Sequence, residues 1–235
     1  MLRVEGLIKQ FGGLRALDGL EFEVPERSIL GVLGMNGSGK TTMLNCINGL
    51  YHATEGAISL NGNDLIGLNP AQVFRMGVGR TFQVPRVFSR MTLWENLAVP
   101  LLSIKMTRRD KDALRTKWLK KVELYDLRHN FAEELSGGQQ KLLELARIMV
   151  SEPRLVLLDE PFAGVNPSLA RLLINVIREM PKETGCSVIL VSHDLTSIYE
   201  LSDDIIVMHE GRLLAHGDAE AVKSNPDVIE AYLGA

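Results

Sequence analysis

The sequence predicts an α/β fold whose sheet is interrupted by an all-helical segment. Apolar runs that are typical of buried strands alternate with helical stretches in residues 1–83, and this alternation resumes in residues 151–235. Between them, residues 84–150 carry no strong strand signal. We therefore expect a single domain, 1–235, in which a helical subdomain is inserted into an α/β core.

The first part of the core is predicted to contain five strands and two helices. Ser28–Leu33 is a nearly continuous apolar run, which is typical of a strand buried on both faces of a parallel sheet. Gly12-Gly13 and Asn61-Gly62 mark turns. The other expected strands are Leu2–Lys9, Leu20–Val24, Ala57–Leu60 and Val78–Phe82, and the expected helices are Lys40–Leu50 and Pro70–Met76.

The middle of the chain is predicted to be helical. Met106–Leu127 has an apolar stripe at helical spacing and a basic opposite face. Such a face usually lies in solvent, and we favour that interpretation over a patch for acidic lipid or nucleic acid. A further helix is expected at Gly137–Val150. The stripe consists of Leu114, Trp118, Val122 and Tyr125.

The last part of the chain returns to strands and helices. Two apolar runs predict core strands at Arg154–Leu158 and Ser187–Val191, with a helix at Pro167–Met180 between them. Asp204–His209 and Arg212–Ala215 are expected to form a hairpin, followed by helical pieces near Asp218 and Asp227.

Composition excludes several classes of protein. The apolar fraction of 46% and the charged fraction of 23% are ordinary for a globular chain, and the net charge of −3 argues against a nucleic-acid partner. Cys46 and Cys186 provide neither a disulfide framework nor a zinc site, which favours a reducing compartment. No apolar run is long enough for a signal peptide or a bilayer span, so we expect no direct membrane insertion.

A glycine-rich loop follows the strand at Ser28–Leu33. Residues 34–41 fit G-x-x-x-x-G-K-[ST] at every fixed position, and the loop stands between a buried strand and a helix as the motif requires. Gly34, Gly37 and Gly39 let backbone N–H groups turn toward phosphate oxygens. Lys40 adds a full positive charge, and the Thr41 hydroxyl is a suitable ligand for Mg²⁺. The loop therefore predicts a nucleotide triphosphate site, bound with Mg²⁺.

An acidic pair follows the strand at Arg154–Leu158. Asp159 stands at the carboxyl end of this strand, where open α/β sheets bind ligands, and we expect it to reach Mg²⁺. Glu160 points elsewhere and can accept a proton from an attacking water. With the phosphate loop, the pair predicts a nucleotide hydrolase.

Two further motifs identify a family. Leu135-Ser136-Gly137-Gly138-Gln139 stands at a predicted helix start, and Ser192-His193-Asp194 follows the last core strand. Together with the phosphate loop, they resemble the ATP-binding subunits of ABC transporters over essentially the whole chain. The resemblance implies a P-loop NTPase core with a mainly parallel sheet flanked by helices, an N-terminal antiparallel β subdomain and an inserted helical subdomain.

The resemblance also implies roles for individual residues. Phe11 is similar to the aromatic residue that stacks on adenine, Gln83 to the glutamine that touches Mg²⁺ and the attacking water, and His193 to the switch histidine at the γ-phosphate. Asn166 stands where the family usually has an acid, so the family's contacts across subunits are not carried over to it. The implied nucleotide-binding set also includes Asn36, Ser38, Thr42 and Gln139; the implied metal ligands are Thr41, Gln83 and Asp159; and the implied catalytic residues are Glu160, His193 and Gln83.

The L-S-G-G-Q segment has a physical logic of its own. A helix N-terminus with unpaired N–H groups attracts anions, yet the phosphate loop already provides an anion site in the same chain. In the family, Ser136, Gly137 and Gly138 contact the γ-phosphate of a second subunit's ATP. The resemblance therefore implies a head-to-tail dimer, identical or heterologous, that opens and closes with hydrolysis.

Softer strings suggest a subgroup. Residues 78–83, Ala163–Pro167 and the C-terminal Asn225–Gly234 resemble the ATP-binding subunits of branched-chain amino-acid importers. Urea or amide importers and lipopolysaccharide exporters share some of these strings and stay open as alternatives. The resemblance implies permease partners that dock around Gln83–Leu93, an indirect solute-binding partner, and a peripheral place on the cytoplasmic face of the membrane.

Two other classes are less compatible with the sequence. A regulatory or repair ATPase of the same superfamily generally carries two nucleotide domains or a long coiled coil, for which 235 residues leave no room. A small-molecule kinase with a P-loop would need a lid and an acceptor pocket in place of L-S-G-G-Q. We therefore expect an ATPase coupled to transmembrane transport.

Overall fold

A computed structural model describes residues 1–233 and contains two sheets. The larger sheet has the order β10-β9-β3-β8-β7-β6, and all neighbours in it are parallel except β9 and β10. The smaller sheet is antiparallel, with the order β2-β1-β4-β5. This arrangement confirms the predicted fold class.

The elements have the following bounds. The strands are β1 (Leu2–Phe11), β2 (Leu14–Val24), β3 (Ile29–Leu33), β4 (Glu55–Leu60), β5 (Asn63–Asp64), β6 (Val78–Arg80), β7 (Leu155–Asp159), β8 (Ser187–Val191), β9 (Asp204–His209) and β10 (Arg212–Gly217). The helices are α1 (Lys40–Ile47), α2 (Pro70–Arg75), α3 (Leu93–Ala98), α4 (Arg108–Lys121), α5 (Gly137–Met149), α6 (Pro167–Thr184), α7 (Leu195–Leu201), α8 (Ala219–Ser224) and α9 (Pro226–Leu233).

Two hydrophobic cores lie on opposite faces of the larger sheet. Leu30 and Val32 of β3 enter the core shared with α1 and the antiparallel sheet, whereas Ile29 and Leu33 enter the core shared with the helical part of the chain. Successive residues of a strand point to opposite faces, so a strand between two cores must be apolar throughout. This explains the unbroken apolar runs in the sequence.

The helical segment differs from its prediction in the length of α4. The expected helix Met106–Leu127 covers only Arg108–Lys121, because Glu123 adopts a left-handed conformation with φ of +56°. The N–H of Leu124 then donates to Leu119 O at 2.8 Å, a hydrogen-bond pattern that closes helix C-termini. Trp118 of the predicted stripe is buried, and Tyr125 packs on the core from a short 3₁₀ turn.

Other differences concern the ends of elements. The second strand begins at Leu14, six residues before its predicted start at Leu20, because it pairs with β1 along its length. Helix α7, which the sequence did not predict, begins after Asp194, whose side chain accepts the N–H of Thr196. Gly234, the last residue of the C-terminal string, lies outside the described residues. No helix within residues 1–233 is both long and apolar enough to cross a bilayer.

Candidate functional site

The phosphate loop connects β3 to α1 and depends on glycine. Gly37 and Gly39 have φ values of +83° and +103°, where residues with a Cβ are strained. A Cβ on Gly34 would lie 2.4 Å from Met208 O, and one on Gly39 would lie 2.7 Å from Ala16 O. Neighbouring backbone therefore leaves no room for a side chain at either end of the loop.

The side chain of Lys40 is held inside this loop. Its Nζ donates to Gly34 O at 2.7 Å and to Met35 O at 2.9 Å. Burial lowers the pKa of Lys40, and the negative charges of Glu160 and Asp159 oppose that shift. The geometry places a cation among backbone groups at the start of α1, which is a favourable position for phosphate oxygens.

A cavity of about 370 Å³ opens beside the loop. Its volume lies within the range of roughly 300–1,000 Å³ that is usual for small-molecule sites. Three further residues that sequence reasoning did not single out also line it: Leu14, Ala16 and Val191. The predicted site residues that line it are Phe11, Asn36, Gly37, Gly39, Lys40, Thr41, Thr42, Gln83, Asp159 and Glu160. Most of the predicted nucleotide site thus lies around one cavity, while Gly34 and Ser38 are buried in the loop.

Phe11 lies at one end of this cavity with its ring partly exposed. The ring of Tyr51 packs edge-on against it at a centroid distance of 5.2 Å, and Lys9 Nζ lies 4.7 Å from its centroid. An exposed aromatic face beside a phosphate loop is suited to stacking on a base. Phe11 does not pack in either hydrophobic core, which favours the binding interpretation over that of a core aromatic.

The buried Asp159, at the carboxyl end of β7, also lines the cavity. Its Oδ2 accepts a hydrogen bond from Arg80 Nη2 at 3.1 Å, and its backbone N–H donates to Thr81 Oγ1 at 3.2 Å. The hydroxyl of Thr41 and the amide of Gln83 line the same cavity. A carboxylate, a hydroxyl and an amide oxygen are hard donors, so this set fits Mg²⁺ completed by phosphate oxygens.

Glu160 adopts a left-handed backbone conformation, with φ of +50°. Its N–H donates to Val191 O at 2.9 Å, and Lys141 Nζ donates to Glu160 O at 2.9 Å and to Ala163 O at 2.7 Å. A strained residue that neighbours hold in place on both sides is characteristic of functional sites. The structure therefore fixes the main chain of Glu160 while its carboxylate faces the cavity.

His193 lies beside this carboxylate. Its Nδ1 is 2.7 Å from Glu160 Oε2, and its backbone N–H donates to the same oxygen at 3.3 Å. The His193 side chain is 71% exposed, whereas that of Glu160 is 13% exposed. The imidazole thus lies exposed just after the end of β8; it does not line the cavity itself and is connected to it through Glu160.

The L-S-G-G-Q segment stands apart from the cavity. Ser136 precedes α5 and forms a capping box with Gln139: Ser136 Oγ accepts the N–H of Gln139 at 3.4 Å, and Gln139 Oε1 accepts the N–H of Ser136 at 3.0 Å. Ser136 and Gly137 are exposed, and Gly138 packs on Leu169. None of these residues lines the cavity described above.

Four polar residues of the site were missed from the sequence. Arg80 donates hydrogen bonds to both Asp159 and Asn45. Lys141 holds the backbone of Glu160, and Glu144 accepts the N–H groups of Phe82 and Arg86, on either side of Gln83. The one available signal was the position of Lys141 and Glu144 on the apolar side of α5, where charged residues are uncommon. Asn166 caps α6, its Oδ1 accepting the N–H of Leu169 at 3.0 Å.

Comparison with known proteins adds a family to this geometry. A profile described as ABC transporter matches residues 17–163, and one described as branched-chain amino acid ATP-binding cassette transporter matches residues 212–235. The chain is 39% identical over 249 aligned residues to the high-affinity branched-chain amino acid transport ATP-binding protein BraF of Pseudomonas aeruginosa, covering 100% of this chain and 98% of that protein. Its identity to the corresponding protein LivG of Escherichia coli is also 39%, with the same coverage.

Solved structures agree on the fold. A nucleotide-free ATP-binding cassette from an ABC transporter superposes with a TM-score of 0.87 at 32% identity, covering 100% of this chain and 99% of that one. The ADP conformation of an ATP-binding cassette gives the same TM-score, identity and coverage. A dimeric bacterial ABC transporter cassette shares the fold with a TM-score of 0.84 at 24% identity, covering 93% of this chain and 99% of that one.

Proposed function

Because this chain belongs to the ABC transporter family, as an ATP-binding ATPase subunit homologous to those of branched-chain amino acid importers, we propose that it powers the import of branched-chain amino acids. In this proposal, two ATPase subunits hydrolyse Mg-ATP between them and drive membrane permease partners. The observation that carries the proposal is the single cavity shared by Lys40, Thr41, Gln83, Asp159 and Glu160.

The phosphates bind at the loop. Backbone N–H groups of residues 34–39 and the start of α1 attract the anionic chain, and Lys40 exchanges its contacts with loop carbonyls for the β- and γ-phosphates. Thr41, Asp159 and Gln83 hold Mg²⁺, which when bound neutralises charge on the phosphates. Phe11 provides a face for the adenine ring.

Glu160 and His193 act on the attacking water. The Glu160 carboxylate orients a water molecule and accepts its proton as the oxygen attacks the γ-phosphorus and the bond to the bridging oxygen breaks. His193, 2.7 Å from this carboxylate, fixes its orientation and reaches toward the γ-phosphate from the exposed side. The products are ADP and phosphate.

A second subunit completes each site. The N-terminus of α5 carries Ser136 and Gly137 on an exposed surface away from the chain's own cavity, and its unpaired N–H groups suit an anion. In a head-to-tail dimer, this helix end contacts the γ-phosphate bound by the partner. Hydrolysis then weakens the contact between subunits, which couples the chemical step to opening of the dimer.

The permease partner docks beside Gln83. Val84 is 76% exposed and Phe88 43% exposed, so the segment Gln83–Leu93 presents apolar side chains to solvent. We place the subunit on the cytoplasmic face of the membrane, with a solute-binding protein acting through the permease. The C-terminal profile match and the two relatives support branched-chain amino acids over urea, amides or lipopolysaccharide as the transported solute.

Glu160→Gln tests the enzymatic part of the proposal. This variant keeps the shape of the side chain but removes the proton acceptor, so it should bind Mg-ATP, be trapped as an ATP-bound dimer and release no phosphate. Light scattering reports the dimer, and a phosphate-release assay reports turnover. Glu21→Gln, on the exposed part of β2, is the matched control and should behave as the unmodified chain. A Glu160→Gln protein that stays monomeric with Mg-ATP and keeps its hydrolysis rate would contradict the proposal.

A vesicle assay tests the solute. The subunit is purified with its membrane partners, reconstituted, and assayed for ATPase stimulation by leucine, isoleucine, valine and urea. Stimulation by the three amino acids supports the importer assignment. Stimulation by urea alone, or by none of the four, contradicts it.

A further inference from the structure

A buried arginine connects two walls of the nucleotide cavity. Arg80 is the last residue of β6, and its side chain is only 5% exposed. Its Nη1 donates to Asn45 Oδ1 at 2.6 Å and its Nη2 donates to Asp159 Oδ2 at 3.1 Å. One planar guanidinium group thus joins helix α1 to the carboxyl end of β7.

This position is costly for a positive charge. Removing a guanidinium from water is unfavourable unless good hydrogen bonds compensate, and Arg80 Nε has no hydrogen-bond partner among the described residues. The compensation that the structure provides is the pair with Asp159, whose side chain is only 6% exposed, together with the hydrogen bond to Asn45 and the ring of Phe82, whose centroid lies 5.0 Å from Arg80 Cζ. A residue kept in such a place at a cost in stability is a candidate for a role in the site next to it.

The contact with Asp159 fixes a carboxylate. Arg80 occupies Oδ2 of Asp159, while the backbone N–H of Asp159 donates to Thr81 Oγ1 on the same side of the strand. Consecutive residues of one segment therefore hold both the main chain and the side chain of Asp159. The carboxylate cannot rotate without breaking the ion pair, so Oδ1 keeps its orientation.

The contact with Asn45 holds helix α1, whose first residues, Lys40 and Thr41, line the cavity. Asn45 is buried in α1, four residues after Thr41, so the two side chains lie on the same face of the helix one turn apart. Holding Asn45 consequently holds the first turn of α1, which carries Lys40 and Thr41. Because Arg80 donates hydrogen bonds to both Asn45 and Asp159, it sets the separation between Thr41 and Asp159.

We propose that Arg80 is a positioning residue that sets the separation and orientation of Thr41 and Asp159, and so determines how strongly Mg²⁺ increases the affinity for ATP. The inference rests on the proposed function, since it takes these two residues as the magnesium ligands. Arg80 itself does not line the cavity. Its effect is therefore confined to the metal-dependent part of binding, and the phosphate loop keeps its own affinity.

Equilibrium binding separates these two parts. We would titrate the unmodified chain, Arg80→Lys, Arg80→Met and Asn45→Ala with trinitrophenyl-ATP, once in EDTA and once with Mg²⁺. In EDTA, the affinity of Arg80→Met for trinitrophenyl-ATP should lie within about twofold of that of the unmodified chain. Its affinity for the metal should fall by about tenfold, the scale usual for residues that orient metal ligands. The ammonium group of Arg80→Lys cannot bind both Asn45 and Asp159, so the metal affinity of this variant should lie between those of the unmodified chain and Arg80→Met.

A second readout follows the metal directly. Mn²⁺ replaces Mg²⁺ in an electron paramagnetic resonance titration of the ATP-bound protein, which counts free and bound metal without any turnover. The Mn²⁺ affinity should fall in the same order as the magnesium effect. Arg75→Met, which removes an exposed arginine from α2, is the matched control and should change neither readout.

The design keeps folding and function apart. Arg80→Met leaves Asp159 buried without its partner and is expected to unfold at lower temperature. Asn45→Ala retains the ion pair and releases only α1, so it tests the positioning role in a chain whose ion pair is intact. Equal loss of affinity with and without metal, or no loss in either, would overturn the inference. If the unmodified chain itself showed no Mg²⁺-dependent ATP binding, the proposed function would fail instead.

Discussion

The carboxylate of Glu144 accepts the backbone N–H of Arg86 at 2.8 Å. The same carboxylate accepts the N–H of Phe82 at 3.3 Å, so it spans the segment that contains Gln83. Glu144 belongs to α5, the helix that begins directly after Ser136. One buried side chain thus joins the L-S-G-G-Q helix to the segment that contains Gln83.

Glu144→Gln should change how stability depends on pH. Burial raises the pKa of Glu144 above its ordinary value of 4.5, and the N–H groups of Arg86 and Phe82 and the charges of Arg147 and Lys141 oppose this shift. Because the pKa of Glu144 is raised in the folded chain, the contribution of this group to the free energy of unfolding is fully present below its pKa in the unfolded chain. That contribution is lost as pH rises through its pKa in the folded chain. Glutamine does not titrate, so Glu144→Gln does not lose this contribution as pH rises.

The measurement is urea unfolding at a series of pH values from about 4.5 to 8. The free energy of unfolding of Glu144→Gln minus that of the unmodified chain should become more positive as pH rises. Glu133→Gln, at an exposed position in the same subdomain, should show a constant difference. A Glu144→Gln difference that is constant, or that falls with pH, would show that the carboxylate is not destabilised by its burial.

Sequence reasoning found the residues proposed to contact ligands more readily than the residues that hold them in place. Glycines, Lys40 and Asp159 stand in a fixed spacing after apolar strands, and the chemistry of phosphate and metal demands those residue types. Arg80 and Asn45 are 35 positions apart and meet only because β6 passes α1 in the folded chain. No local pattern encodes such a contact, so the supporting hydrogen bonds could not be predicted.

The ends of elements were harder to predict for the same reason. The strand predicted at Val78–Phe82 ends at Arg80: Thr81 still donates its N–H to Leu157 O of β7, but the N–H of Phe82 donates to the Glu144 side chain. Helix α7 is only one to two turns long and depends on packing of Ile198 and Leu201 against β3. Tertiary contacts, rather than local propensity, decide both cases.

Lys141→Met should slow hydrolysis while leaving ATP binding nearly intact. Lys141 Nζ holds the carbonyl oxygens of Glu160 and Ala163, and burial lowers the pKa of Lys141 while the nearby charges of Glu144 and Glu160 oppose this. Without these bonds the strained backbone of Glu160 relaxes and its carboxylate moves. A shift of about 1 Å in a catalytic group can cost about a hundredfold in rate, so we expect kcat to fall by about tenfold to a hundredfold.

Steady-state kinetics separate this effect from binding. The KM for ATP should change by less than about threefold, because the phosphate loop is untouched. Lys117→Met removes an exposed lysine from α4 and should leave both constants unchanged. A raised KM at constant kcat would indicate that Lys141 supports nucleotide binding rather than the position of Glu160.

Asn96→Ala should destabilise the segment beside Gln83. Asn96 is fully buried in α3; its Oδ1 accepts the N–H of Phe88 at 2.9 Å, and its Nδ2 donates to Phe88 O, Met91 O and Thr92 O at 3.0, 3.2 and 3.0 Å. Alanine leaves the buried N–H of Phe88 without its acceptor, whereas the carbonyl oxygens of Phe88, Met91 and Thr92 keep the backbone N–H groups of Met91, Ala132 and residue 96 as donors. Because an unsatisfied buried polar group costs about 1–3 kcal/mol, we expect the free energy of unfolding to fall by about 2–3 kcal/mol in urea titrations. Asn175→Ala, on the exposed side of α6, should cost less than about 0.5 kcal/mol.

The two native thiols should be inert in the folded chain. Burial raises the pKa of Cys46 to about 11 and also raises that of Cys186. Only the thiolate reacts, so Ellman's reagent at about pH 8 should label neither residue in native protein and both after unfolding. Labelling of one thiol in the native chain would contradict the burial of that residue.

Inert native thiols allow a direct test of the head-to-tail arrangement. Asn36→Cys, at the phosphate loop, and Ser136→Cys, before α5, introduce thiols at exposed positions. If the end of α5 contacts the triphosphate of a second copy, mixing the two single variants in the Glu160→Gln background should give an oxidised dimer with Mg-ATP and little without it. Electrophoresis without reductant separates the dimer from the monomer.

Lys117→Cys replaces Ser136→Cys in the control, since it lies on the basic face of α4, and should not crosslink to Asn36→Cys. Equal amounts of crosslinked dimer with and without Mg-ATP, or in the tested pair and the control, would each exclude binding of one ATP by both the phosphate loop of one copy and the L-S-G-G-Q helix of another.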